Sequence, residues 1–323
     1  MGIIEWAYRL MENKKYKYGT FVILLAATIA IPMISDNYTL EVLWNAMFYM
    51  LLALGLNIIV GYCGLCDLGY AAKFAIGAYT TGILMKTFGW SFWLTLPASI
   101  IVSIVIAVVI GAPTLKLRSD YLAIVTLGFA EIVRITVGNL DITGSARGLY
   151  SIPKPSIFDI HLTTRIAPWY YLFLALLILF IIISNRIKNS RFGRALAYIR
   201  EDEDAAQAMG INTNRYKLYA YIIGAVLGGI TGSFYAVKVG SIAPGSFDFT
   251  QSANILLAVI LGGMSKTPGV LVGAAFFAIF PELFRDIPII GDMRMLFFGI
   301  LLVLVMMKRP QGLWPERRRA GER

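Results

Sequence analysis

Charge is the scarcest property of this sequence. Only 15% of its 323 residues are Asp, Glu, Lys or Arg, where a soluble chain carries about a quarter, and 58% are hydrophobic. That shortage excludes a soluble domain of ordinary composition. Histidine occurs once, as His161, and cysteine twice, as Cys63 and Cys66. A metal centre or a nucleophile–base pair has few residues to draw on, so a membrane enzyme is the weakest reading. The two cysteines form a lone CxxC with no thioredoxin-like surroundings and no further ligands, and are expected to be small packing residues. A phosphate-cradling loop is missing as well. The stretch "GGMSKTPG" (262–269) contains Lys266-Thr267, but Ile260 and Ser265 stand where G-x-x-x-x-G-K-[ST] requires glycines. If the protein uses ATP, another chain binds it.

Long apolar runs are abundant. "YYLFLALLILFIIIS" (170–184) is continuous rather than alternating, which excludes an outer-membrane barrel. Hydrophobic segments fall near 18–35, 41–61, 69–87, 92–113, 120–138, 168–185, 216–238, 251–265, 268–284 and 294–308. Several approach the roughly 20 residues a bilayer requires. The expected fold class is an all-α polytopic membrane protein, a bundle of about 8–10 transmembrane helices. The segments at 69–87 and 251–284 leave room for broken or re-entrant helices. The apolar stretch "FVILLAATIAIPMIS" has basic residues before it but no clear cleavage site, and is expected to be a retained first helix.

The net charge of +10 is a topology signal. With the N-terminus cytoplasmic, the inner stretches hold 20 Lys and Arg and the outer ones 7; Lys73 and Arg134 lie within spans. Positive residues accumulate on the cytoplasmic side, so both termini are expected there, and no nucleic-acid partner is implied.

Two hydrophilic interruptions break the pattern. The outer loop, 139–167, is marked by the turn residues Gly144, Gly148, Pro153 and Pro155. The inner one, 186–217, contains "YIREDEDAAQAMGIN" (198–212). Neither is large enough for a soluble domain, so residues 1–323 are expected to form a single membrane domain. Within the inner stretch, Leu196, Ile199, Ala206 and Met209 are spaced to share one helical face, while Arg194, Glu201, Asp204 and Gln207 point elsewhere. The acids 201–204 suit a helix start, and Gly210 suits a helix stop. An apolar face with charged flanks at the cytoplasmic surface is a docking element. Gly224, Gly228 and Gly232, and again Gly269 and Gly273, recur every four residues, the spacing that lets membrane helices approach closely. In the fifth span, Glu131 and Arg134 are three apart and can pair on one face. They either pin two helices together or line a path.

The stretch "DAAQAMG" (204–210) fits the E-A-A-x-x-x-G pattern of ABC importer permeases, with Asp204 for the glutamate. The longer "GRALAYIREDEDAAQAMGINTNRYKL" (193–218) resembles branched-chain amino acid ABC permeases of the M-type (LivM) family. Further blocks agree in order: "LKLRSDYLAIVTLGFAEIVRI" (115–135), "TGSARGLYSIPKP" (143–155), "VILGGMSKTPGVLVGA" (259–274) and "RMLFFGILLVLVMMKRPQGL" (294–313). The resemblance covers about residues 40 to 314.

It implies a non-catalytic inner-membrane permease with no cofactor of its own, partnered by a second, H-type permease and two cytoplasmic ATPase subunits that bind ATP and Mg. The region 193–210 would insert into the ATPase, with Arg194, Ile199, Arg200, Glu201, Asp202, Asp204, Ala205, Ala206, Met209 and Gly210 at the junction. The outer loop, with Arg147 and Lys154, would meet an extracytoplasmic substrate-binding protein. Leucine, isoleucine and valine are the implied solutes; related permeases serve urea and short amides. An ion-coupled carrier is less favoured, because the intramembrane charges do not recur in two corresponding halves. The chain departs from the family at "GLCDLGYAAKF" (64–74), where G-Q-L-S-L-G-H-A-A-F is usual. Asp67 takes the serine position, Tyr70 the histidine and Lys73 the first phenylalanine. An intramembrane lysine needs a partner or water, so Lys73 is expected to face the bundle interior or snorkel to the inner edge, with Asp67 as a candidate partner. Asp67, Tyr70, Lys73, Glu131 and Arg134 are thus the candidate translocation-path residues.

Overall fold

The computed structural model describes residues 35–117, 119–157, 160–161 and 166–283, with single positions at 28, 31, 32, 296, 299, 300, 303, 307, 312 and 313. The expected first and last spans and both termini lie outside these continuous stretches. Eight of the ten expected segments coincide with helices to within a few residues.

Helix α1 (Asn37–Asn57) is rich in Leu and Met, has no proline, and runs directly into a π-helical turn, Ile58–Tyr62. Helices α2 (Tyr70–Thr87), α3 (Phe92–Thr114) and α4 (Ser119–Asn139) follow. The outer loop comes next, and then α5 (Ile166–Lys188). The inner interruption forms two short helices, α6 (Arg191–Glu201) and α7 (Glu203–Ala208). After them come α8 (Thr213–Val239), α9 (Phe249–Gly262) and α10 (Thr267–Leu283).

Among the described residues, five helical segments are long and apolar enough to cross a membrane: Asn37–Tyr62, Phe92–Thr114, Tyr121–Asn139, Ile166–Lys188 and Thr213–Val239. The first and last are 72% buried, whereas Tyr121–Asn139 is only 22% buried. The chain is therefore built around α1 and α8, with α2 packed most extensively against α8. A Cβ at Gly77 would strike the Gly229 backbone, and one at Gly232 would strike the Phe74 carbonyl. The four-residue glycine spacing is thus used for close helix contact. Aromatic rings fill the remaining centre: Tyr235 lies 5.0 Å from Phe48 and 5.1 Å from Phe74.

Helix α9 has 14 residues, about 21 Å, too short to cross a hydrocarbon core of about 30 Å by itself. It packs against α10, and a Cβ at Gly273 would collide with the α9 backbone at Ala258 and Gly262. The loop after α4 makes two tight 3-10 turns, Asp141–Thr143 and Ser145–Arg147, followed by β1 (Leu149–Tyr150). Strand β2 (Ser156–Ile157) pairs with β3 (Ile160–His161), and β1 pairs with β4 (Ser241–Ile242), both antiparallel. The β1–β4 register, Leu149 opposite Ile242, ties the outer loop to the end of α8. Gly144 and Gly148 both have a φ of 79°, as turn glycines should.

Candidate functional site

The inner segment is two helices rather than one. The carboxylate of Asp202 accepts the Ala205 N–H at 3.0 Å and caps α7, so the helix ends and restarts at that residue. Leu196, Ile199 and Ala206 are buried, as their spacing predicted. Met209 is not: it is 70% exposed. The restart shifts the helical phase, and Met209 lies just past the C-terminus of the six-residue α7. Arg194, Glu201, Asp202, Asp204, Ala205 and Gly210 are also exposed, so the segment presents a charged surface on which Met209 and Tyr198 are the large exposed apolar side chains. Gly210 has a φ of 82° and open space where a side chain would go.

Bonds on the inner side of this segment hold it to the spans. Arg200 donates to the Gly61 carbonyl at 2.9 Å and to the Ser265 hydroxyl. Ser265 sits in the α9–α10 turn with a φ of 70°. Its hydroxyl also donates to the Gly61 carbonyl, its N–H donates to the Asn57 side-chain oxygen at 2.9 Å, and its carbonyl accepts from Lys188 at 2.9 Å. Four elements meet there: the end of α1 with its π turn, α5, α6 and the α9–α10 turn. A second tie joins Glu203 to the buried Lys217 of α8. Gln207 donates to Thr213 at 3.0 Å beside it. Arg200 was expected at the ATPase junction, yet its guanidinium turns toward its own chain. Sequence spacing offered no sign of Ser265, Asn57 or Lys217, because these partners come from segments far apart along the chain. Cys63, next to the π turn, is buried, and burial pushes its thiol up to about 12; Lys217 pulls the other way and Glu203 adds to the rise.

Asp67 and Lys73 form an ion pair at the start of α2. The Asp67 carboxylate also accepts the Gly69 N–H at 3.0 Å, so one side chain both braces the turn that leads into α2 and neutralises the lysine. Lys73 lies 3.8 Å from the centre of the Tyr221 ring and 5.4 Å from that of Tyr70. Tyr70 in turn donates to the Gly224 carbonyl at 3.0 Å. Asp67 is 0% and Lys73 4% exposed. The adjoining cavity, lined by Lys73, Ser103, Phe129 and Tyr221, holds about 10 Å³, room for no more than one water.

Glu131 and Arg134 also pair, and the Arg134 Nε donates to both carboxylate oxygens at 3.0 Å. The pair's own bonds close within α4, and Arg134 also feels the charge of Asp248 at the start of α9. It stands at the surface of the chain, 42% and 35% exposed. In the loop between α4 and α5, Arg147 and Lys154 are both exposed, one in the second 3-10 turn and the other in the stretch that follows β1.

Comparison with known proteins adds to this geometry. The family described as "Branched-chain amino acid transport system / permease component" matches residues 38–306. The high-affinity branched-chain amino acid transport system permease protein LivM of Salmonella typhimurium is 38% identical over 318 residues, covering 91% of this chain and 74% of that protein. LivM of Escherichia coli K12 is 38% identical over 332 residues, covering 95% and 77%. The permease protein LivH of Salmonella typhimurium is 26% identical over 300 residues, covering 85% and 95%. No solved structure matches.

Proposed function

The chain belongs to the branched-chain amino acid transport permease family, and from that premise we propose that it is one membrane subunit of an ATP-driven importer. It is a multi-pass membrane protein, and its proposed place is the inner (plasma) membrane. The solutes are leucine, isoleucine, valine or similar small amphipathic molecules, after the names of its LivM and LivH relatives. The chain itself is non-catalytic. A second, H-type permease pairs with it, two cytoplasmic ATPases bind ATP and Mg, and a substrate-binding protein docks on the outer loop near Arg147 and Lys154.

The single observation that carries this reading is the exposed, charged α6–α7 element in a chain without a phosphate-binding loop. Its outer surface offers Arg194, Glu201, Asp202, Asp204, Ala205, Met209 and Gly210 to a partner. On its inner side, Ile199 and Ala206 are buried, Arg200 holds Gly61 and Ser265, and Glu203 holds Lys217. ATP-driven closure of the ATPases pushes on the outer surface. The inner bonds pass that movement to α1, α8 and the α9–α10 turn, so the spans alternate between outward and inward openings. Copurification of the tagged chain from its native membrane tests this. The expected companions are an ATPase pair and a second permease, with leucine uptake that requires ATP. A lone dimer whose uptake follows an ion gradient and ignores ATP would refute it.

A further inference from the structure

The span Tyr121–Asn139 has 19 residues, about 28 Å, close to the thickness of the hydrocarbon core. Glu131 comes ten residues after Tyr121, about 15 Å along the axis and therefore near mid-depth. The other two weakly buried spans show what lipid-facing surfaces of this chain look like. The exposed side chains at the middle of α3 and α5 are hydrocarbon, such as Ile101, Val105, Val109, Leu179 and Ile182. Helix α4 differs from them in one respect: amid its exposed Ile124, Ile132 and Ile135 stands an ion pair. Arg134 does not reach outward to a headgroup. Helical side chains lean toward the N-terminus, and this one folds back onto Glu131, which keeps both charges near mid-depth. Charged groups facing acyl chains at that depth cost several kcal/mol, so this surface does not face lipid.

We propose that the α4 face carrying Glu131 and Arg134 is a wall of the aqueous translocation path, opposite the second permease, and that the pair receives zwitterionic amino acids there. This rests on the importer reading above. The chemistry matches the solute class: a carboxylate for the substrate ammonium, and a planar guanidinium for the substrate carboxylate. The two protein charges neutralise one another when the path is empty and exchange partners when a zwitterion arrives. Ile135, one turn from Glu131 on the same face, supplies an apolar surface for an aliphatic side chain.

The experiment uses the complete importer, reconstituted in liposomes with leucine-loaded binding protein, in a Cys63→Ala/Cys66→Ala background. A charged, water-soluble methanethiosulfonate is applied to Ile135→Cys and, as the lipid-facing comparison, to Ile101→Cys. Ile135→Cys is expected to react and Ile101→Cys to stay unmodified. The neutral double variant Glu131→Gln/Arg134→Gln removes both charges without stranding either. It should copurify with its partners and lose about tenfold or more in radiolabelled leucine uptake, the scale of a charge-assisted hydrogen bond. An unreactive Ile135→Cys in every nucleotide state overturns the proposal, as does wild-type leucine uptake by the double variant. Failure of the double variant to assemble leaves the labelling to decide. Wild-type uptake that ignores ATP is a different failure, which removes the importer reading and this proposal with it.

Discussion

Asp67–Lys73 and Glu131–Arg134 are the same kind of chemical object placed in opposite surroundings. The first pair is sealed, 0% and 4% exposed, with aromatic rings against the ammonium and a cavity beside it too small for any solute. The second is more than a third exposed, on the least buried of the five spans among the described residues. A sealed pair cannot meet a substrate without the bundle opening around it, and its carboxylate is already committed to Lys73 and to the Gly69 N–H. We infer a structural role for it, with Lys73 set against the Tyr221 ring of α8. An open pair at mid-depth contributes little to holding this chain together and needs an environment from outside it. If the proposed path role holds, the two pairs separate stability from transport, and substitutions should separate along the same line.

The largest effect is expected inside. Lys73→Met strands the Asp67 carboxylate in a dry interior and should cost about 3–5 kcal/mol. Thermal unfolding of the purified chain in detergent measures this, and the double variant Asp67→Asn/Lys73→Met should recover most of the loss. Wild-type stability in Lys73→Met would erase the distinction between the two pairs.

Arg200 tests the boundary of the comparison, since it belongs to an exposed helix but spends its bonds inward. Arg200→Ala removes charge-assisted bonds to Gly61 and Ser265 and should cost about 1.5–3 kcal/mol. It should also lower leucine uptake per ATP hydrolysed, because the α6 surface keeps its partner and loses its grip on the spans. Loss of stability with unchanged coupling would place Arg200 with the sealed pair alone.

Much of this arrangement was legible in the sequence, and the limits have physical causes. Segment positions followed from runs of apolar residues, and the buried face of α6 followed from the spacing of Leu196 and Ile199. Met209 was misplaced because a single side chain, Asp202, restarts the helix, and periodicity read across a restart loses its phase. The pairing of Glu131 with Arg134 was visible from a three-residue spacing, whereas its exposure was not. Spacing says which residues share a face but not what lies opposite that face. The Ser265 junction left no local signal, since its partners come from 57, 61, 188 and 200.

Gly210 extends the comparison to the proposed ATPase-docking surface. A tryptophan there would have to adopt a φ of 82°, at about 1–2 kcal/mol, but would meet no neighbouring atom of this chain. Gly210→Trp should therefore fold, and should fail to recruit the ATPase or hydrolyse ATP without uptake. Normal ATP-driven leucine uptake in this variant would remove Gly210 from the docking surface.

The smallest effect is expected at Cys63, which probes how well the end of the bundle beneath α6 and α7 is sealed. Its thiol is buried and pushed up to about 12, so at pH 8 about one molecule in ten thousand carries the thiolate that reacts. An ordinary cysteine near pKa 8.5 would be about one quarter ionised. Maleimide at pH 8 should accordingly leave Cys63 unmodified in the folded chain and modify it promptly after denaturation, as read by mass spectrometry of the peptide. The neighbouring Lys217 opposes the rise, so Lys217→Met should slow the reaction further rather than speed it, provided the junction stays closed. Faster modification in that variant would mean that losing the Glu203–Lys217 tie opens the junction. The tie would then seal this end of the bundle as Asp67–Lys73 seals its interior.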